Sequence, residues 1–225
     1  MPVTRQFLIN LRGWTGPLTI ADESPYDAVA EQYNERSEKH RANVSLWVDR
    51  LIRHVGANFS ALDIGCGVGL SISILTHNGI RAAGIDASHK MVEFARARNP
   101  DVEIKHGNIF LAEPTHTFDI LWLEAFIHLF PAAEADAAIT HLLKFLRPGG
   151  ILTLSTTVSP TSSEGWLPKS DYEGAPWRFR RHWTRVDLMN AFERHRLRLL
   201  DSWDIEDPFG KTWMAYITQY RPESL

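Results

Sequence analysis

The chain has 225 residues, with 24 Lys or Arg against 27 Asp or Glu, for a formal net charge of −3. Hydrophobic residues make up 44% and charged residues 23%, and eight Trp with eleven Phe supply enough apolar area to exclude a disordered chain. The same balance excludes a nucleic-acid binder held by bulk positive charge, and a single cysteine, Cys66, excludes an internal disulfide.

Met1 to Asn10 carries no apolar leader-like run. No later stretch approaches the roughly 20 apolar residues that span a bilayer, so a cytoplasmic protein without a membrane partner is expected. Residues 1–25 hold scattered Gly and Pro and read as an irregular arm folded over a site. From Tyr26 to Val55 apolar residues recur at three- and four-residue steps, the mark of helices. Residues 1–55 are therefore expected to cover a core formed by 56–225.

Beyond Val55 the rhythm is strand, turn, helix. Strands are predicted at Ala61–Ile64, Ile80–Ile85, Val102–Lys105, Phe118–Leu123 and Ile151–Thr156. Helices are predicted over Leu70–Leu75, from a Ser88 cap to Arg98, and over Ala132–Leu146 before Arg147-Pro148-Gly149-Gly150. Residues 158–183, broken by Pro160, Pro168 and Pro176, exceed an ordinary connection and read as a lid or binding insertion. Thr184 with Asp187 opens another helix, and Leu197–Ile205 and Thr212–Tyr220 form a final antiparallel hairpin. The order predicts an α/β fold: a Rossmann-like, seven-stranded, mainly parallel sheet with helices on both faces and the last strand antiparallel.

The sharpest local signal is Asp63-Ile64-Gly65-Cys66-Gly67-Val68-Gly69 between a strand and a helix. Glycines let the chain turn and a ligand approach without a Cβ in the way. The spacing is not that of a dinucleotide loop, and a carboxylate two residues before the first glycine would repel pyrophosphate but suit a cation. Asp86 closes the second strand, where its two oxygens can accept from both hydroxyls of a ribose.

With Gly84-Ile85-Asp86-Ala87-Ser88, Met91, Gly107-Asn108-Ile109, Phe118-Asp119 and Leu146-Arg147-Pro148-Gly149-Gly150, this sequence resembles the class I S-adenosylmethionine-dependent methyltransferases from about Tyr26 to Tyr220. Tyr26 to Tyr33 looks like the helix that closes over the cofactor in small-molecule members. The resemblance implies S-adenosyl-L-methionine as cofactor. It implies cofactor contacts from Tyr33, Asp63, Gly65, Cys66, Gly67, Gly69, Asp86, Ala87, Met91, Gly107, Asn108 and Ile109, with Asn108 beside adenine where the family often has Asp. The Asn-Pro-Pro-Tyr type sequence of nucleobase and amide methylating members is missing, which directs the expectation to a small molecule and away from nucleic acid.

Sulfonium is an excellent leaving group, so alignment and water exclusion supply most of the catalysis, and a base is needed only for a protonated nucleophile. His128, after the fourth strand, is the candidate base, with Glu124 as its rival. In the insertion, Trp166, Tyr172, Trp177, Arg178 and Arg181, together with Tyr26, are candidate substrate contacts for an aromatic or anionic metabolite. No histidine or cysteine spacing suggests a metal. The expected activity is in-line methyl transfer to O, N or C of a metabolite by a monomer or homodimer. A non-methylating cyclase or regulator and an NAD-dependent oxidoreductase are the alternatives.

Overall fold

Two alternating faces of short apolar strands organise the chain, whose computed structural model describes residues 24–55, 58–174 and 176–222. The expected N-terminal arm lies outside the described residues except for Ser24 and Pro25. Helices α1 (Ala30–Ser37) and α2 (Arg41–Ile52) precede β1 (Ser60–Ile64), α3 (Leu70–His77), β2 (Arg81–Asp86), α4 (His89–Arg98) and β3 (Ile104–His106). There follow β4 (Phe118–Leu123), α5 (Ala132–Leu142), β5 (Leu146–Thr156), β6 (Ser163–Pro168) and β7 (Trp177–His182). The chain then forms α6 (Arg185–Arg194), β8 (Leu197–Glu206) and β9 (Thr212–Tyr220).

Successive strand side chains point to opposite faces. On one face Leu62, Ile64, Leu121, Leu123, Leu152, Leu154, Met214 and Tyr216 pack on α5 and α6. On the other, Ala61, Ile120, Trp122, Ile151, Ala215 and Ile217 meet Val44, Trp47, Val48 and Leu51 of α2 and Leu70, Ile74 and Leu75 of α3. Both faces are covered, which is why the strands read as near-continuous apolar runs. The seven-stranded sheet runs β3-β2-β1-β4-β5-β9-β8, parallel except that β9 is antiparallel to both neighbours. Chain order reverses between β1 and β4, the switch point where such sheets open a crevice at the carboxyl ends of their strands.

Two caps anticipated from sequence are present. Ser88 Oγ accepts from Met91 N at the start of α4, and Thr184 with Asp187 forms a capping box on α6. Two boundaries differ. The helix expected to reach Leu146 is α-helical only to Leu142 and closes with a tight turn over Leu143–Phe145. β5 then begins at Leu146, through the segment read as a stop, and its pairing with β4 shifts register between Phe118 and Ile120. Within the insertion at residues 158–183, β6 and β7 pair antiparallel in a separate two-stranded sheet.

Candidate active site

The strand alternation continues past the apolar residues and delivers polar ones at the carboxyl ends. Asp63 follows Ala61, Glu124 follows Trp122 and Ser155 follows Thr153, so all three face the α2–α3 side and line one cavity of 340 Å³. Asp63 is 2% exposed, and its carboxylate has no hydrogen-bond partner among the described residues. Burial first, then the neighbouring Glu124 and Asp86, push its pKa well above the usual carboxylate value. Glu124 accepts from Ser71 Oγ at 2.7 Å. Asp86 accepts from Gly67 N through one oxygen and from Ser88 N through the other, each at 2.8 Å. Burial raises the Asp86 pKa, opposed by those two bonds. Cys66, beside these acids, is pushed up mainly by burial, so its thiol stays protonated.

The glycines of the loop differ in what they face. Gly67 has φ +53°, and a Cβ there would meet nothing within 4 Å. Gly69 has φ +76°, but a Cβ would lie 2.6 Å from Asn99 Nδ2 and 3.0 Å from Ala95. Gly67 therefore opens onto the cavity, whereas Gly69 lets α3 approach α4 and does not line it. Across the crevice, Ala125 holds φ +54°, a left-handed backbone rare for alanine, and its N–H donates to Ser155 Oγ at 3.1 Å.

A roof of aromatic groups covers the crevice. Tyr33 stacks on Tyr172 at 4.5 Å between centroids and meets Tyr26 edge-on at 6.0 Å. Burial pushes the Tyr26 and Tyr172 hydroxyls up to about 12. The roof is tied down by Ser88 Oγ donating to Asp27 at 2.6 Å, and by Gln32 exchanging hydrogen bonds with the backbone of Glu173. His128 is 3% exposed, with Nδ1 3.5 Å from Thr156 Oγ1. Burial and then Arg180, Arg178 and Lys169 hold its pKa well below 6.5, so the imidazole is neutral near pH 7.

Of the sequence candidates, Tyr26, Tyr33, Asp63, Gly65, Cys66, Gly67, Asp86, Ala87, Met91, Glu124, His128, Tyr172 and Arg178 line this cavity. Gly69, Gly107, Asn108, Ile109, Trp166, Trp177 and Arg181 do not. Asn108 Oδ1 caps the short turn over Ile109–Leu111 by accepting from Phe110 N at 2.9 Å, and Ile109 is buried in the core. Trp166 and Trp177 are 51% and 62% exposed, and the Arg181 guanidinium lies over Trp183 at 3.6 Å. Arg36, Ser71, Lys169 and Arg180 also line the cavity and were not among the site candidates. No group of His, Cys, Asp or Glu able to hold a metal ion occurs among the described residues, and no helix there is long and apolar enough to cross a membrane.

The domain is a doubly wound α/β fold with an acid-lined crevice at its switch point. The unpartnered Asp63, the pre-bonded Asp86 and the open Gly67 fit a ligand that presents a cation and a ribose. A methyltransferase-domain family profile matches residues 62–154. A probable S-adenosylmethionine-dependent methyltransferase of Mycolicibacterium smegmatis is 29% identical over 161 residues, 71% of this chain and 57% of that relative. Trans-aconitate 2-methyltransferase of Paracidovorax citrulli is 27% identical, covering 71% of this chain and 60% of that protein. The chain thus spans under two thirds of these curated relatives. In fold it resembles Burkholderia thailandensis 1,6-didemethyltoxoflavin-N1-methyltransferase, with a TM-score of 0.63 and 16% identity over 88% of this chain and 91% of that one. The profile match over residues 62–154, these relatives and the shared fold support a class I S-adenosylmethionine-dependent methyltransferase domain, with S-adenosylmethionine as its cofactor.

Proposed function

We propose that the protein transfers a methyl group from S-adenosylmethionine to O, N or C of a small molecule. The observation that carries this reading is the meeting of Asp63, Asp86 and Glu124 around the open Gly67 in one roofed cavity. S-adenosylmethionine supplies a methyl group on a sulfonium, already activated for in-line displacement. Asp86 would hold the ribose hydroxyls, since Gly67 N and Ser88 N fix both its oxygens while leaving lone pairs free. Asp63 and Glu124 would face the cationic end of the cofactor, where a positive charge favours the ionised form of Asp63. Val68, Ala87 and Met91 give the crevice an apolar wall. Tyr26, Tyr33 and Tyr172 would exclude water and align the acceptor. His128, held neutral, would accept the proton from an acceptor that arrives as O–H or N–H. The small-molecule class is supported by the size of the cavity and by relatives such as trans-aconitate 2-methyltransferase.

Calorimetry with S-adenosylhomocysteine, followed by a metabolite screen with labelled methyl donor, tests the reading. Cofactor binding with label in one acceptor class is expected. Binding without transfer to any acceptor would favour a non-methylating role, and binding of NADH in place of S-adenosylhomocysteine would refute the reading.

A further inference from the structure

We infer that Arg178 and Arg180 form an anion subsite in the acceptor half of the cavity, one that takes a carboxylate or phosphate of the substrate. This inference rests on the methyltransferase reading and narrows it to anionic acceptors. It starts from the hairpin. Arg178 and Arg180 are alternate residues of β7, so they project from one face of the strand roughly 7 Å apart, and both line the cavity. Arg178 is 8% exposed; its guanidinium donates no hydrogen bond to any described residue, and its Nη1 is shut off from solvent with no partner. Among the described residues Arg180 donates only to the Thr157 hydroxyl, at 2.7 Å.

Nearby carboxylates do not neutralise this pair. Asp171 faces the same end, but it is taken by Lys211 at 2.7 Å and Lys169 at 3.5 Å. Neither arginine has a carboxylate within ion-pair distance among the described residues. Removing a guanidinium from water without a counter-charge costs several kcal/mol, and an anion in the cavity recovers that loss. The cavity thus has two poles: acids at the carboxyl ends of β1, β2 and β4, and guanidinium groups on β7. A cationic methyl donor and an anionic acceptor each meet the opposite charge there.

The experiment is calorimetry on the full chain, with and without S-adenosylhomocysteine, using three probes. Trans-aconitate supplies carboxylates, glycerol 3-phosphate supplies a phosphate, and the trimethyl ester of trans-aconitate supplies the same skeleton without charge. Binding of one anion but not of the ester is expected. Arg178→Gln and Arg180→Gln should each weaken that anion by at least about tenfold while leaving S-adenosylhomocysteine affinity unchanged. Arg178→Lys should restore part of the loss. Retained S-adenosylhomocysteine affinity in each variant also shows that it has folded. Failure of the wild-type chain to bind either anion, or equal affinity for the ester, overturns the subsite whatever the cofactor result. Unchanged anion affinity in both Gln variants does the same. Loss of S-adenosylhomocysteine binding by the wild type would instead strike the methyltransferase reading, and the cofactor-free titrations still decide the subsite.

Discussion

Gly67→Ala and Gly69→Ala separate a ligand-facing glycine from a packing one within a single loop. Both positions have a left-handed backbone, which disfavours alanine by about 1–2 kcal/mol. At Gly69 the new methyl also meets the Ala95 backbone at 3.0 Å and Asn99 Nδ2 at 2.6 Å. Asn99 cannot easily yield, because its amide is buried and donates to the carbonyls of Gly69 and Ala95. Such overpacking adds about 1–3 kcal/mol, for a loss of about 2–5 kcal/mol in all. For a chain of this size, at roughly 2–4 °C per kcal/mol, Tm should fall by about 4–20 °C, against about 2–8 °C for Gly67→Ala. Affinity should move the other way. The Gly67 methyl enters the cavity and should weaken S-adenosylhomocysteine by at least about tenfold, about 1.4 kcal/mol, whereas folded Gly69→Ala should bind nearly as wild type. Thermal unfolding and calorimetry read the two quantities. If Gly69→Ala loses no more Tm than Gly67→Ala, or if Gly67→Ala keeps full affinity, the distinction is wrong.

Asp86→Ala removes the acceptor of two backbone N–H groups and the proposed ribose contact, so S-adenosylhomocysteine affinity should fall by at least about a hundredfold in calorimetry. His128→Asn should lower kcat with little change in cofactor affinity; an unaltered kcat on a hydroxyl acceptor would remove His128 as the base. Lys169, facing Asp171, Lys211, Arg178, Arg180, Tyr33 and Tyr172, has its pKa lowered mainly by burial to about 8. It is charged below that value and neutral above it, so anion affinity should decline as pH rises through about 8, and Lys169→Met should flatten the profile. Thr184→Ala dismantles the capping box and should remove about 1 kcal/mol, or roughly 2–4 °C of Tm, without touching cofactor affinity.

The parallel core was legible because its strands are apolar on both faces and its turns end in glycine, as at Asp63–Gly69. The same glycine spacing concealed a difference. Gly67 and Gly69 look alike in sequence, yet only tertiary contact with Ala95 and Asn99 shows that the second serves helix packing. The cap that Asn108 places on Phe110 N is a local feature that its expected role beside adenine did not include. The β6–β7 hairpin was hidden by an inverted pattern. Trp177-Arg178-Phe179-Arg180 does alternate with period two, but the arginines point into the cavity and Trp177 points to solvent. Trp166 and Trp177, expected to stack on a flat substrate, face solvent instead, while Arg178 and Arg180 line the cavity. Arg36 escaped because a lone basic residue in sequence reads as surface.

Because β6 and β7 share no ladder with the seven-stranded sheet, the two poles of the cavity are built on separate sheets. If Arg178 and Arg180 form the proposed anion subsite, exchange of this hairpin for one of different charge changes the acceptor class while the acids at the carboxyl ends of β1, β2 and β4 stay in place. New specificity within such a scaffold can thus arise by replacing a single ornament, with the load of folding carried elsewhere.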